Sequence, residues 1–124
     1  MATRVPTITQ GEVDNSLTYV TWSGLLNGDD GTAVRGAEWA DRSIHFLGTF
    51  GVGGSISLEG TNEATPANWI VLTDPQGNAI TKTAPGIEQV LEVTRWIRVR
   101  VTAGDGTTNI TAIVLARRAN SLRT

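Results

Sequence analysis

Trp96-Ile97-Arg98-Val99-Arg100-Val101-Thr102 is the stretch on which the fold turns. Apolar and polar residues alternate through it with a period of two, which is the signature of a β-strand with one buried face. Ile97, Val99 and Val101 belong to the core side, and Arg98 and Arg100 to the outside. An aspartate at position 99 would strand a charge in the core, so Val99→Asp is expected to unfold the protein. A glutamate at 98 or 100 is expected to weaken association more than folding.

Working outward, Ala103-Gly104-Asp105-Gly106 reads as a hairpin turn, with residues 107–116 pairing back onto the preceding strand. Upstream, residues 17–25 (LTYVTWSGL) are β-branched and aromatic and form a strand. Asn27-Gly28-Asp29-Asp30-Gly31 is a turn, because Asn-Gly and Asp-Gly tolerate positive φ. Residues 37–41 fit one helical turn or a loop. In residues 42–48, Ile44 and Phe46 point one way and Ser43, His45 and Leu47 the other. Gly51-Val52-Gly53-Gly54 breaks the chain. Ile56 and Leu58 then mark the buried side of residues 55–59. Residues 69–72 and 79–83 are short strands on either side of a turn at Asp74-Pro75-Gln76-Gly77-Asn78. Residues 87–93 fit strand better than helix.

Short strands about ten residues apart, without a long amphipathic helix, predict an all-β fold: a single-domain antiparallel β-sandwich of jelly-roll-like form. The domain is expected over residues 17–118. Residues 1–16, polar and without a period, read as an extended N-terminal arm able to strap a neighbouring subunit. Residues 119–124 read as a basic tail.

Composition narrows function further. The 124 residues contain no cysteine, which excludes disulfides, thiol catalysis and thiolate zinc sites. No apolar run is long enough to span a bilayer, and the first ten residues lack the basic-then-apolar order of a signal peptide, so a soluble chain with no membrane partner is expected. Net charge is −2, giving no global attraction to nucleic acid. Nine of the ten basic residues are arginine, a residue suited to protein interfaces.

His45 is the only histidine. It sits in a strand pattern beside core positions and reads as a strand residue facing solvent or another subunit. The acids Asp29, Asp30, Asp41, Glu59, Glu63 and Asp74 lie mostly in turns, where carboxylates cap backbone N–H groups. None has the apolar setting that would raise its pKa for acid catalysis. Acids at Asp29-Asp30 and Asp105 lack the alternate spacing of a calcium loop. Gly51 to Gly54 lacks the Lys-Ser/Thr that makes a phosphate loop. No enzyme, metal or cofactor is expected. Of the four tryptophans, Trp22, Trp69 and Trp96 lie in strand patterns and Trp39 in a loop. They fill the core or an interface, or, in an alternative reading as a carbohydrate-binding module or tail adhesin, stack on sugars. Arg98 and Arg100 form a face that Glu88 and Glu92, just upstream, can neutralise.

Residues 46–63 (FLGTFGVGGSISLEGTNE), Trp69 with residues 72–78 (LTDPQGN), residues 95–108 (RWIRVRVTAGDGTT) and residues 114–118 (VLARR) together resemble the head cement, or decoration, proteins of tailed bacteriophages. The resemblance spans about residues 17–118. It implies a β-sandwich or jelly-roll-like fold and oligomers, commonly homotrimers. It also implies a place on the capsid exterior, bound to the major capsid protein where shell subunits meet. It carries over no catalytic residues. The residues expected at protein interfaces are Arg98, Arg100 and Trp39, with Arg4, Val5, Pro6 and Ile8 of the arm.

Overall fold

A computed structural model describes residues 2–10, 17–36 and 39–118, apart from the side chains at positions 10, 39, 40 and 118. The expected tail, residues 119–124, lies outside the described residues. Twelve strands follow in chain order: β1 (Thr3–Arg4), β2 (Thr7–Gln10), β3 (Leu17–Leu25), β4 (Asp30–Gly31), β5 (Val34–Arg35), β6 (Trp39–Thr49), β7 (Ser55–Thr61), β8 (Ile70–Val71), β9 (Thr81–Lys82), β10 (Gly86–Gln89), β11 (Trp96–Ala103) and β12 (Asn109–Arg118). Among the described residues there is no helix. The all-β class expected from the alternation is the class observed.

The strands form two sheets. The seven-stranded sheet has the order β1-β4-β11-β7-β8, with β5 also on β11 and β9 also on β7; the five-stranded sheet has the order β10-β6-β12-β3-β2. Pairing is antiparallel except between β1 and β4. The inner faces meet in one core. Val20, Trp22, Ile44, Phe46, Ile110, Ala112 and Val114 come from the five-stranded sheet, and Ile56, Leu58, Ile97, Val99 and Val101 from the other. Within each strand these positions obey the period of two, although β7 is buried on its outer face as well, at Ser57, Glu59 and Thr61. Gly31 shows how tightly the layers approach: a Cβ there would lie 2.5 Å from the Trp22 indole. That indole donates to the Thr32 carbonyl at 3.1 Å.

Four local expectations need correction. Residues 39–41 open β6 rather than forming a helical turn or loop. Residues 104–108 are not a hairpin, since β11 and β12 lie in different sheets. The connection is an arch over the end of the sandwich, stitched to the β6–β7 crossover beside it. Asp105 accepts from the Val52 N–H at 2.9 Å, and the buried Thr108 hydroxyl donates to the Phe50 carbonyl at 2.8 Å. In that crossover Gly54 has no room for a side chain, as a Cβ would meet the Phe50 carbonyl oxygen at 1.9 Å. Within residues 87–93, only those up to Gln89 are strand.

The fourth correction concerns the arm. Its described part does not reach away from the sandwich. The buried Asp29 carboxylate accepts from the Ala2 N–H and from Arg4 Nε, both at 2.9 Å, and also from the Leu26 N–H. This pins β1 beside β4, after which the chain crosses to the other sheet and β2 pairs with β3. The segment therefore belongs to both sheets of its own chain.

Candidate functional site

The two outer faces of the sandwich differ in character. On the seven-stranded sheet, Arg98 and Arg100 do point away from the core, but they are engaged within the chain. Arg98 sits directly across from Glu59 on β7. Its Nε donates to Glu59 at 2.9 Å, Nη1 lies 3.4 Å from Asp30, and the guanidinium stacks 4.4 Å from the Trp69 ring centre. The Glu59 side chain is only 7% exposed and that of Arg98 19%. Arg100 is 52% exposed and lies 3.9 Å from Glu59. The acids that neutralise this face are thus Glu59 and Asp30. Glu88 instead pairs with Lys82 at 2.9 Å. Glu92 accepts from the N–H and hydroxyl of Thr73. Burial would raise the Glu92 pKa, but these bonds and the nearby Arg42 charge hold it below the ordinary value.

The outer face of the five-stranded sheet is different. Cross-strand register sets two complete rows on it: Ile87-His45-Ile113-Thr21-Thr7, and Gln89-Ser43-Leu115-Tyr19-Thr9. A third row runs Asp41-Arg117-Leu17, and a fourth holds Leu47 beside Thr111. All of these side chains are partly or fully exposed, Ile87 at 62%. Apart from His45, the titratable groups in these rows are Tyr19 and the Asp41–Arg117 ion pair. At one end, Leu17, Ser43, Ile87 and Leu115 line an open groove of about 450 Å³ with that ion pair. Antiparallel sheets commonly turn a polar face to water. This one exposes leucine, isoleucine and tyrosine side by side, and contiguous apolar patches of that kind mark interaction sites. We take this face as the candidate site.

The remaining predicted residues scatter. Arg4 is held by Asp29. Val5 is 81% exposed in the crossing between sheets, with Pro6 half-buried beside it. Ile8 lies opposite Val20, on the core-facing side of the edge strand β2, and stays half exposed. Trp39 begins β6, and its side chain is outside the described residues. Of the arm positions, Arg4 belongs to the sheet of Arg98 and Arg100, and Ile8 to the other sheet.

Of the acids expected mostly in turns, Asp29, Glu63 and Asp74 cap backbone groups, whereas Asp30, Asp41 and Glu59 lie on strands and pair with arginines. Asn68 and Ala67 donate to Glu63 and hold its pKa down to about 2. Thr107 and Val52 do the same for Asp105, also to about 2. Asp74 accepts from the Gln76 and Asn78 N–H groups. For Asp29, burial works upward, but bonds from Leu26, Arg4 and Ala2 prevail and lower the pKa. Lowered values favour the ionised carboxylate, the opposite of what a general acid needs. Among the described residues no cluster of histidine and acids could hold a metal ion. Trp22 is buried, Trp69 is stacked under Arg98, and Trp96 lies under Arg35 at 5.6 Å.

Sequence reading missed Leu17, Tyr19, Leu47, Ile87, Ile113 and Leu115 as a surface. One signal was present. The run Ile110-Thr111-Ala112-Ile113-Val114-Leu115-Ala116 is apolar at nearly every position, on both faces of its strand. Such runs belong to strands covered on both sides.

No protein-family model matches the chain, and no curated protein matches it. Among solved structures it is similar to Peruvianin-I, a cysteine peptidase from Thevetia peruviana latex, at 19% identity over 85% of this chain and 52% of that one, with a TM-score of 0.41. It is similar also to Fe(II)-HppE with the alternative substrate (S)-1-HPP, at 16% identity over 90% of this chain and 55% of that one, with a TM-score of 0.43. The chain spans about half the length of the solved chains it matches. Likeness at this level carries nothing about chemistry. Among the described residues, no helix is long and apolar enough to cross a membrane.

Proposed function

We propose that this chain is a structural subunit of a bacteriophage particle. In this reading it is a non-catalytic cement protein that associates with itself and binds the major capsid protein on the outside of the head. The single observation that best supports a subunit role is the apolar cluster of Leu17, Tyr19, Ile113 and Leu115 on the outer face of the five-stranded sheet, whose described residues carry one ion pair and which another protein surface would cover. The phage assignment rests on the sequence resemblance over residues 17–118. Glu59 and Asp30 balance the arginines of the opposite face, which argues against a nucleic-acid partner. Cover by Arg98 and Arg35 leaves Trp69 and Trp96 poor platforms for sugars.

A cement role follows from simple mechanics. Packed DNA strains the junctions between shell subunits. A protein bridging a junction adds contacts that must break before the shell opens, which stabilises the closed state and slows rupture. The test is co-sedimentation of the purified chain with heads that lack it, followed by heating. Bound heads are expected to release DNA at a higher temperature than bare ones. Failure to bind heads, or binding without a shift in rupture temperature, removes the cement assignment. A major capsid gene beside this one would add independent support.

A further inference from the structure

We propose that a second copy of this chain covers the outer face of the five-stranded sheet, through a two-fold axis running between β6 and β12 and parallel to them. This names the partner at the face on which the subunit reading rests.

Register defines the pairing. On that face β6 and β12 present facing pairs: Asp41 with Arg117, Ser43 with Leu115, His45 with Ile113, and Leu47 with Thr111. A two-fold axis between the strands lays β6 of one copy over β12 of the other. Each residue then meets its neighbour's counterpart: Asp41 faces Arg117 of the second copy, and Ser43 faces Leu115 of the second copy. The next strands obey the same rule. Ile87 on β10 comes over Thr21 of the second copy, and Gln89 over Tyr19. Leu115 falls on Ser43, Leu47 on Thr111 and Ile87 on Thr21, large on small; His45 meets Ile113 and Gln89 meets Tyr19, large on large; and acid falls on base. Sheets packed face to face lie aligned within about 30°, and long side chains such as Arg117 absorb the resulting displacement at the ends.

Charge complementarity favours a second copy as the occupant. Two copies each carrying a net charge of −2 repel overall, so self-contact needs a patch that is neutral or carries matched charges. Among the described residues, the rows of this face carry one acid and one base, side by side. An isologous contact uses such a pair twice, since residue i meets j and j meets i.

Area sets the expected strength. Four strand spacings by six residues of β12 give about 400 Å² in projection, and more once side-chain relief is counted. Stable interfaces take about 800 Å² from each partner, and transient ones less. The dimer is therefore expected to form at high micromolar concentration and to dissociate on dilution.

Analytical ultracentrifugation of the intact chain decides the matter. A species of twice the 13.2 kDa chain mass is expected at high concentration. Asp41→Arg and Arg117→Asp are each expected to be monomeric, because like charges then meet across the axis. Mixing the two variants in equal amounts is expected to restore a dimer, since each introduced charge meets its opposite on the other chain. Leu115→Asp is expected to be monomeric while its near-ultraviolet circular dichroism stays native, as the residue lies outside the core. The proposal is overturned by a wild-type monomer at every concentration, by the trimer that the phage resemblance implies, by a mixture that stays monomeric, or by a dimeric Leu115→Asp. Head binding is scored separately. A dimer that ignores heads removes the cement assignment alone, and a monomer that binds them removes this one alone.

Discussion

Glu59 shows how one residue reassigns its neighbours. Its carboxylate lies on the outer face of β7, yet Arg98, Arg100 and the strands around it leave little of it in water. Removing one partner of a buried pair costs more than the pair contributes, because the other charge is left without compensation. Arg98→Ala is therefore expected to destabilise the fold by about 3 kcal/mol in urea denaturation. Arg100→Ala is expected to change it by less than about 1 kcal/mol, as for other exposed pairs. Equal effects would remove the distinction. The expectation that a glutamate at 98 acts mainly on association is revised accordingly. Carboxylates with lowered pKa set the acid limit of stability. Glu63 and Asp105, at about 2 when folded, and Asp29, also lowered, all sit below their unfolded values near 4. Their contribution is complete above about pH 5 and is lost as pH falls toward about 2. The thermal midpoint should drop over that window, and Asp105→Asn should make the drop shallower. A midpoint independent of pH there would contradict the capping geometry.

At the scale of elements, alternation placed side chains correctly and connections less well. Ile97, Val99 and Val101 are all buried, so Val99→Asp is expected to abolish cooperative unfolding. Gly31→Ala, on a strand of two residues, is expected to cost about 1–3 kcal/mol by pressing a methyl into the Trp22 indole. A neutral outcome in thermal melts would mean that β4 yields easily. The arch at residues 104–108 had the composition of a hairpin turn, because Asp-Gly serves any sharp reversal. What directs it across the sandwich is the bond from Thr108 to Phe50, far away in sequence. Thr108→Val should leave the Phe50 carbonyl without its donor at a cost of about 1–3 kcal/mol, measured by urea denaturation. The buried Arg42 was not foreseen either. Its guanidinium donates to the carbonyls of Glu92 and Gly36, and burial lowers its pKa against the raising effect of the Glu92 charge.

For the molecule as a whole, the proposed pairing limits which charges the outer face can carry. His45 would face Ile113 of the second copy, flanked on its own sheet by Ile87, Ile113, Ser43 and Leu47. The charged groups of these rows, Asp41 and Arg117, are engaged with each other, and at the β10 edge Lys82 is engaged with Glu88. A permanent charge at position 45 would find no free counter-charge among the described residues, so His45→Lys is expected to weaken the dimer. Sedimentation of His45→Lys beside His45→Gln checks this; a lysine variant that dimerises as the wild type does would contradict it.

The all-β class, most strand positions, the core faces and the capping role of the turn acids were legible along the chain. Each depends on a period of two or on a turn, and both are local properties of neighbouring residues; the acids that proved to lie on strands, Asp30, Asp41 and Glu59, pair with arginines instead of capping turns. Three things were not legible: the sheet each strand joins, the partner of Arg98, and the apolar outer face. They were decided only when strands remote in sequence came together. β12 enters a different sheet from β11, Glu59 lies 39 residues before Arg98, and the outer face draws on β2, β3, β6, β10 and β12. The physical reason is that alternation says a side chain leaves the core but not what it then meets, and that choice is made by packing energies summed over the whole sandwich.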